Sequence, residues 1–94
     1  MPTGAGEVTH DPAAGRFGLD VDGHRAELVY RLDGTTMVIT HTEVPEAIGG
    51  RGIAARLVEA AFANARAAGW KVAPACSYAR IWADRHAEVA DLLA

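Results

Sequence analysis

Hydrophobic and polar residues alternate with period two through the first half of the chain. Phe17, Leu19 and Val21 fall on one face of a predicted strand, while Arg16 and Asp20 fall on the other. Such alternation is typical of a strand with one buried face and one solvated face. Similar patterns predict four strands in all, near residues 7–10, 16–21, 25–32 and 35–44.

Two Asp-Gly pairs separate the middle strands of this set. Asp22 with Gly23, and Asp33 with Gly34, supply residues that tolerate the positive φ angles of two-residue hairpin turns. Strands joined by such turns run antiparallel and lie side by side. We therefore predict a four-strand meander with one covered face.

At Pro45 the period of the pattern changes to that of a helix. Apolar residues within 51–68 share one broad arc, which indicates an amphipathic helix, and Gly69 is a natural C-cap. A fifth strand is predicted over residues 70–75, followed by two short helical pieces over 77–85 and 87–93. This order of elements predicts an α+β fold, with helices packed on a mostly antiparallel sheet of the meander plus the fifth strand.

Composition limits the classes of function. The 94 residues suffice for one domain, which we assign to 1–94. A net charge of −3 argues against a partner made of nucleic acid or anionic membrane, because both require a basic face. The single cysteine, Cys76, excludes an internal disulfide and fits a reducing compartment. Since no targeting or membrane-spanning pattern is evident, we expect a cytoplasmic protein.

A glycine-rich stretch joins the fourth strand to the long helix and reads VPEAIGGRGIAARL, residues 44–57. Gly50, Gly52 and Ala55 match the dinucleotide fingerprint, but no strand leads directly into the first glycine and no acidic residue ends the next strand. A nucleoside-triphosphate loop is excluded because no Gly-Lys-Ser/Thr follows. Two alternatives remain open. The stretch is either a simple turn before a helix, or an anion site where backbone N–H groups and Arg51 converge.

A longer segment resembles the small members of the GCN5-related N-acetyltransferase superfamily. It covers residues 41–86 and reads HTEVPEAIGGRGIAARLVEAAFANARAAGWKVAPACSYARIWADRH. The pattern of those proteins is roughly H-T-x-V-P, then R-G-x-G-I/L-A/G-x-x-L-V/I, then V/I-x-P-x-C-x-F/Y. The resemblance implies a protein that binds acetyl-coenzyme A and transfers the acetyl group to an amine acceptor, whose identity stays open.

The resemblance also implies which residues hold the coenzyme. The pyrophosphate would rest on backbone N–H groups of the turn, and the pantetheine would pair with the fourth strand. The implied contacts are Thr42, Glu43, Val44, Gly49, Gly50, Arg51, Gly52, Ile53 and Ala54. The superfamily usually has Gln or Arg at the position that is Gly49 here. One side-chain contact is therefore lost, and whether Arg51 replaces it stays open.

Three residues are candidates for the chemistry. His41 is the best general base because its ordinary pKa lies near neutral pH, although a solvent-facing histidine is the alternative. Cys76 matches the P-x-C of the family and is either an acyl-accepting nucleophile, a wall of the acyl pocket, or a small buried hydrophobe. Tyr78 is the candidate acid, because Trp82 replaces the usual tyrosine; packing is the alternative role for both rings. The spacing of His and Cys residues indicates no metal site.

Alternatives to an acetyltransferase follow from the short chain. It lacks the extra helices and strands that build the acceptor pocket in larger relatives, and fold does not prove activity. A second hypothesis is therefore a sensor or interaction module that binds coenzyme A or acetyl-CoA with little or no transferase activity. A third is that two copies form the acceptor cleft together, as a homodimer.

Overall fold

The computed structural model describes residues 7–94 of the chain. The strands are β1 (Thr9–Asp11), β2 (Arg16–Val21), β3 (His24–Asp33), β4 (Thr36–Glu43) and β5 (Lys71–Pro74). The helices are α1 (Ile53–Ala68) and α2 (Ser77–Asp84), and two 3₁₀ segments lie at Glu46–Ile48 and Ala87–Leu92.

All five strands form one mixed sheet in the order β1-β2-β3-β4-β5. The first four are antiparallel neighbours, and β5 runs parallel to β4. At the turn between β2 and β3, Asp22 has a φ of 50° and Gly23 a φ of 78°, the positive values that a two-residue hairpin needs. The predicted meander with a fifth strand, and the α+β class, are confirmed. The second predicted turn, Asp33 with Gly34, is wrong by one residue: Asp33 still pairs with Thr36, so the turn residues are Gly34 and Thr35.

The first strand lies further along the chain than the predicted range of 7–10. Thr9 pairs with Gly18 and Asp11 pairs with Arg16. The tight connection to β2 is closed by the N–H of Gly15, which donates to the carbonyl of Asp11 at 2.9 Å. The predicted boundary is wrong because this turn sets the register with β2, and register decides which residues of an edge strand are paired.

The helices and the C-terminal 3₁₀ segment pack into a single core against one face of the sheet. Its members are apolar and nearly inaccessible to solvent. The sheet contributes Phe17, Leu19, Val21, Ala26, Leu28, Tyr30, Met37, Ile39 and Val72. The helical segments contribute Ile53, Leu57, Val58, Ala61, Phe62, Ala65, Ala79, Trp82, Ala83, Val89 and Leu92.

The opposite face of β2 and β3, here called the open face, carries charged side chains. Arg16 pairs with Glu27 at 3.1 Å, and Arg25 pairs with Asp20 at 3.0 Å. Exposed ion pairs of this kind contribute little to stability individually. Charged side chains here do, however, specify the register, because a slip of one residue would bury them.

The long helix begins two residues later than the predicted start at residue 51. Gly52, with a φ of 73°, is left-handed and forms the N-cap. A residue in that conformation cannot extend a right-handed helix, so residues 51 and 52 belong to the preceding turn. The predicted C-cap is confirmed: Gly69 has a φ of 78°, and its N–H reaches the carbonyls of Ala65 and Arg66.

The predicted helical piece over 87–93 is a 3₁₀ segment, Ala87–Leu92. Its position is held by two basic side chains. Arg66 donates to both carboxylate oxygens of Asp91 at 3.1 Å and to the carbonyl of Glu88 at 2.9 Å. Lys71 donates to the carbonyl of Asp91 at 2.6 Å. These contacts tie the C-terminal segment to α1 and β5.

Candidate functional site

The strands β4 and β5 pair briefly and then separate. Their parallel pairing ends at Ile39 and Pro74. The N–H groups of Ala75 and Cys76 both turn back to the carbonyl of Ile39, at 3.0 Å each. Residues 41–43 of β4 pair with β3 alone among the described strands. We call the space beside them the β4–β5 gap.

A β-bulge in β4 lies where this gap begins. Val29 of β3 pairs with His41, whereas the next residue of β3 pairs with Ile39. Thr40 is therefore an extra residue, and its hydroxyl donates to the carbonyl of Val29 at 3.2 Å. Beyond the bulge, Thr42 lies on the helix-covered face and His41 on the opposite face. Alternation with period two cannot predict an inserted residue of this kind.

Cys76 borders the gap at the N-cap of α2. Its Sγ lies 3.5 Å from the hydroxyl oxygen of Thr42 and makes no capping hydrogen bond of regular geometry. Burial acts to raise the pKa of the thiol. Hydrogen bonding from the Thr42 hydroxyl and from the N–H groups of Ala79, Tyr78 and Thr42 outweighs burial, so this pKa lies below its usual value. A helix N-terminus favours a thiolate for the same electrostatic reason.

His41 and Glu43 share the other face of β4, as predicted. Nε2 of His41 lies 3.6 Å from Oε1 of Glu43, and the two side chains are 61% and 71% exposed. Within the described residues, no contact joins His41 to Cys76. The two candidates instead lie beside the β4–β5 gap on opposite faces of the sheet. Cys76 is on the helix-covered face with Thr42, and His41 is on the other face.

The glycine turn, residues 49–52, is anchored by the fully buried side chain of Ile48. Gly50 has a φ of 77° and Gly52 a φ of 73°, and an added Cβ at either would meet no atom within 4 Å. Backbone conformation, not crowding, therefore explains these two glycines, and the outer side of the turn is open. The first N–H groups of α1 have no side-chain cap and are available to an anion.

A cavity of about 250 Å³ lies beside this turn. Six of the nine coenzyme-binding residues implied by the family resemblance line it, together with Tyr78: they are Val44, Gly49, Gly50, Gly52, Ile53 and Ala54. The structure thus brings the turn, the end of β4 and the start of α2 to one place. Tyr78, a residue that is 39% exposed to solvent, forms a wall of this cavity.

The sequence did not predict that Asp22 is the partner of Arg51 in the glycine turn. Arg51 donates from Nη1 to Oδ2 of Asp22 at 2.6 Å. Asp22 belongs to the β2–β3 hairpin, 29 positions earlier in the chain. No local pattern links residues so far apart, and Asp22 stood out in the sequence only as a turn former. The charge of Arg51 is therefore compensated where the sequence suggested a free cation.

A second and larger cavity, of about 580 Å³, lies between the far half of α1 and the C-terminal segment. Core side chains such as Phe62, Trp82 and Val89 form its walls, and none of the predicted site residues line it. Size alone would favour this cavity. The smaller one is lined by the glycine turn and the start of α1, where backbone N–H groups converge, which is a feature of a binding site.

Trp82 has a packing role in this structure. Its ring centroid lies 5.3 Å from that of Phe62 and 3.9 Å from that of His86, and the residue is 9% exposed.

Residues 7–94 contain no group of His, Cys, Asp and Glu side chains suited to a metal ion. Over the same residues, no helix has both the length and the apolar character needed to cross a membrane.

Comparison with protein families identifies the fold and its relatives. A family model described as GCN5-related N-acetyl-transferase matches residues 16–92. The chain belongs to this family. Family members generally bind acetyl-CoA and transfer its acetyl group, which agrees with the resemblance carried by residues 41–86.

Individual relatives support the same assignment. Protein NATD1 of Xenopus tropicalis is 41% identical over 63 residues, which are 64% of this chain and 58% of that protein. Protein NATD1 of Mus musculus is 44% identical over 57 residues, which are 57% of this chain and 52% of that protein. The match thus spans little more than half the length of these curated relatives.

A solved structure from the same superfamily matches most of the fold. It is the NMR structure of a GCN5-like protein from Staphylococcus aureus, with a TM-score of 0.74 and 26% sequence identity. The superposition covers 94% of this chain and 87% of that one. The five-stranded sheet and its helices are therefore an N-acetyltransferase fold of this family.

Proposed function

We propose that this protein binds acetyl-CoA and transfers its acetyl group to an amine, within the cytoplasm. One observation carries the proposal: the glycine turn, the cavity beside it and the β4–β5 gap adjoin one another. An elongated coenzyme needs an anion site, a groove and an acyl site in that order.

The turn fits a pyrophosphate on two grounds. Its outer side is open above Gly50 and Gly52, and the first N–H groups of α1 have no side-chain cap. Several N–H groups that converge at a helix N-terminus bind phosphate through hydrogen bonds and the helix dipole. No side chain at Gly49 assists, so the backbone provides most of the contacts.

The β4–β5 gap fits the pantetheine and the acetyl group. Residues 42–44 lie at the end of β4, beyond the part of the strand that pairs with β5, so the amides of a pantetheine arm could pair with this edge as an added strand would. When bound, acetyl-CoA supplies an activated thioester. Cys76 and Thr42 would then border the acyl group from the helix-covered face.

His41 is proposed as the general base. It lies on the face opposite Cys76, where an amine could approach the gap without displacing the coenzyme. The ammonium of the acceptor must lose a proton before it can attack, and the imidazole of His41 can accept that proton. Glu43, 3.6 Å from Nε2, would orient the ring and attract a cationic acceptor.

Tyr78 has two proposed uses. Its ring lines the cavity at the turn, where it would contact the coenzyme. Its hydroxyl would act as the acid for the departing thiolate only if coenzyme binding brings the sulfur within hydrogen-bond distance. A Tyr78→Phe variant separates the two uses, because loss of the hydroxyl alone should lower kcat and leave affinity for acetyl-CoA unchanged.

The second candidate function is a coenzyme-binding sensor or interaction module. The observation that favours it is the exposure of His41 and Glu43, since no described element encloses an acceptor beside them. A homodimer in which a second copy covers this face would restore an enclosed acceptor site. Chromatography with light scattering, with and without acetyl-CoA, tests that arrangement.

Transfer assays decide between enzyme and module. Release of free CoA from acetyl-CoA is measured with polyamine, lysine-peptide and arylamine acceptors, for the wild type, His41→Gln, Cys76→Ala and the control His24→Gln. We expect His41→Gln to slow transfer by about 100-fold or more, as loss of a general base does, and the control to match the wild type. Tight binding with no acceptor-dependent release in any sample would favour the module.

Mass spectrometry addresses the role of Cys76. The protein is incubated with acetyl-CoA, quenched in acid and digested, and the peptide with Cys76 is examined for an added acetyl group. An acetylated thiol that disappears when the amine is added indicates a covalent route. An unmodified thiol, with transfer intact, leaves Cys76 as a wall of the acyl site.

A further inference from the structure

The cation of the glycine turn is paired with an acidic residue from another element. Nη1 of Arg51 lies 2.6 Å from Oδ2 of Asp22, and the two side chains are 50% and 48% exposed. Within residues 49–52, Arg51 is the one basic residue. The superfamily usually has Gln or Arg at the position of Gly49, so that side-chain contact is lost here. The pair therefore neutralises the side-chain charge that the turn could offer to a phosphate.

The backbone position of Asp22 is set by the hairpin. Asp22 and Gly23 have φ angles of 50° and 78°, and Val21 and His24 pair across the base of this turn. A two-residue turn of this type matches the twist of the two strands that it joins, so strand pairing defines its backbone. The glycine turn, in contrast, has open space around Gly50 and Gly52. Asp22 thus holds the guanidinium of Arg51 from a defined backbone position. The Arg51 side chain, which lies on the open turn, is the partner that can move away.

We propose that Asp22 is a positioning residue that competes with the pyrophosphate of the coenzyme for Arg51 and so limits the affinity of the turn. This inference rests on the proposed function. Binding of the pyrophosphate would draw the Arg51 guanidinium away from Asp22. It would also place the two negative charges of the pyrophosphate near the Asp22 carboxylate, which would then lack its partner. Both effects oppose binding, and both depend on the single negative charge of Asp22.

The hairpin offers a clean variant and a matched control. Asp22→Asn removes the charge and keeps the turn, because Asn-Gly is a preferred pair for this hairpin type. Asp20→Asn removes the same charge from the same hairpin, but Asp20 pairs with Arg25 on the open face at 3.0 Å. Any effect of net charge or of hairpin stability should therefore appear in both variants.

Calorimetry with coenzyme A at 20 and 200 mM NaCl measures the effect. We expect Asp22→Asn to bind about two- to five-fold more tightly than the wild type at low salt, the range for one exposed charge interaction. The gain should shrink at high salt, since the charges are screened. Asp20→Asn should match the wild type.

Arg51→Gln tests whether the effect passes through the guanidinium. In that background, Asp22→Asn should give a clearly smaller gain than in the wild type, which a purely structural role of Asp22 would not produce. Equal affinity of Asp22→Asn and Asp20→Asn, or weaker binding by Asp22→Asn, would overturn the inference. No binding of coenzyme A by the wild type would instead contradict the proposed function.

Discussion

At the scale of single residues, Cys76 shows how local contacts set reactivity. Partial burial would raise the pKa of its thiol, but Thr42 and the first N–H groups of α2 lower it overall. A thiolate is the nucleophilic form, so Cys76 should react at lower pH than an ordinary cysteine. The same shift makes a contribution to stability that is present above the pKa of the unfolded thiol and is lost as pH falls through the folded value.

Thr42→Val tests this contact directly. The rate of alkylation of Cys76 by iodoacetamide is measured against pH, and its midpoint should lie at higher pH in the variant because the hydroxyl donor is lost. Thr40→Val is the control, since the Thr40 hydroxyl bonds to Val29 and not to Cys76. Identical midpoints for Thr42→Val and the wild type would show that the hydroxyl does not tune the thiol.

His10 provides a second residue-level prediction, away from the site. Its Nε2 is hydrogen-bonded to the Tyr30 hydroxyl at 2.5 Å, and its ring stacks on Phe17 with centroids 4.1 Å apart. Burial lowers the pKa of His10 despite an opposing contribution from Asp11. The unfolded chain therefore binds this proton more readily, and the folded state should lose stability as pH falls below about 6.5.

Urea unfolding at pH 7.5 and 5.5 measures this loss. The free energy of unfolding should fall less between the two pH values in His10→Gln than in the wild type, because the variant has no proton to take up. His24→Gln, an exposed position in the β2–β3 hairpin, should retain the wild-type dependence. An unchanged pH dependence in His10→Gln would rule out His10 as its source.

At the scale of elements, the turn before α1 depends on the conformation of Gly52. With a φ of 73° and open space around it, an alanine there meets a backbone penalty and no clash. Gly52→Ala should cost about 1–2 kcal/mol of stability and weaken coenzyme binding, since relief of the strain would redirect the N–H groups. Gly49→Ala is the control, because Gly49 has an ordinary φ of −67°. Urea unfolding and calorimetry that show equal losses in both variants would refute this view of the turn.

Elements also show where sequence patterns succeed and where they stop. Alternation through Phe17, Leu19 and Val21 and the turn at Asp22-Gly23 predicted the meander, because one face of each strand must be buried. The second turn lies one residue later than predicted, because strand pairing extends to Asp33. The bulge at Thr40 was not predictable, since an inserted residue depends on pairing with β3. The start of α1 was placed too early because helical periodicity does not report the sign of φ at Gly52.

In the candidate site, too, some features were predictable from the sequence and others were not. Its glycines and the cysteine were predicted by motif, because turn conformation and the family pattern are local properties of the sequence. The contact of Cys76 with Thr42 and the pair formed by Arg51 and Asp22 were not predicted. Both join elements that are distant in sequence, so only the packed sheet brings them together.

At the scale of the whole molecule, one covered face and one open face define what the fold can do. The helices cover the face that bears Thr42 and Cys76 at the gap. The opposite face, which bears His41 and Glu43, lacks a covering helix among the described residues. A coenzyme would be held by turn, gap and α2, whereas an acceptor would find few walls. Under the proposed function, the described residues would therefore offer an acceptor few selective contacts.

The most direct test of the account is an NMR titration of the ¹⁵N-labelled protein with acetyl-CoA. We expect amide shifts to concentrate at residues 42–44, 50–55 and 76–78, where the gap and the turn adjoin. Amides of the open face, and those around Ala63 and Ala67 beside the larger cavity, should change little. Shifts centred on that larger cavity, or no saturable shifts at all, would contradict the placement of the coenzyme at the glycine turn.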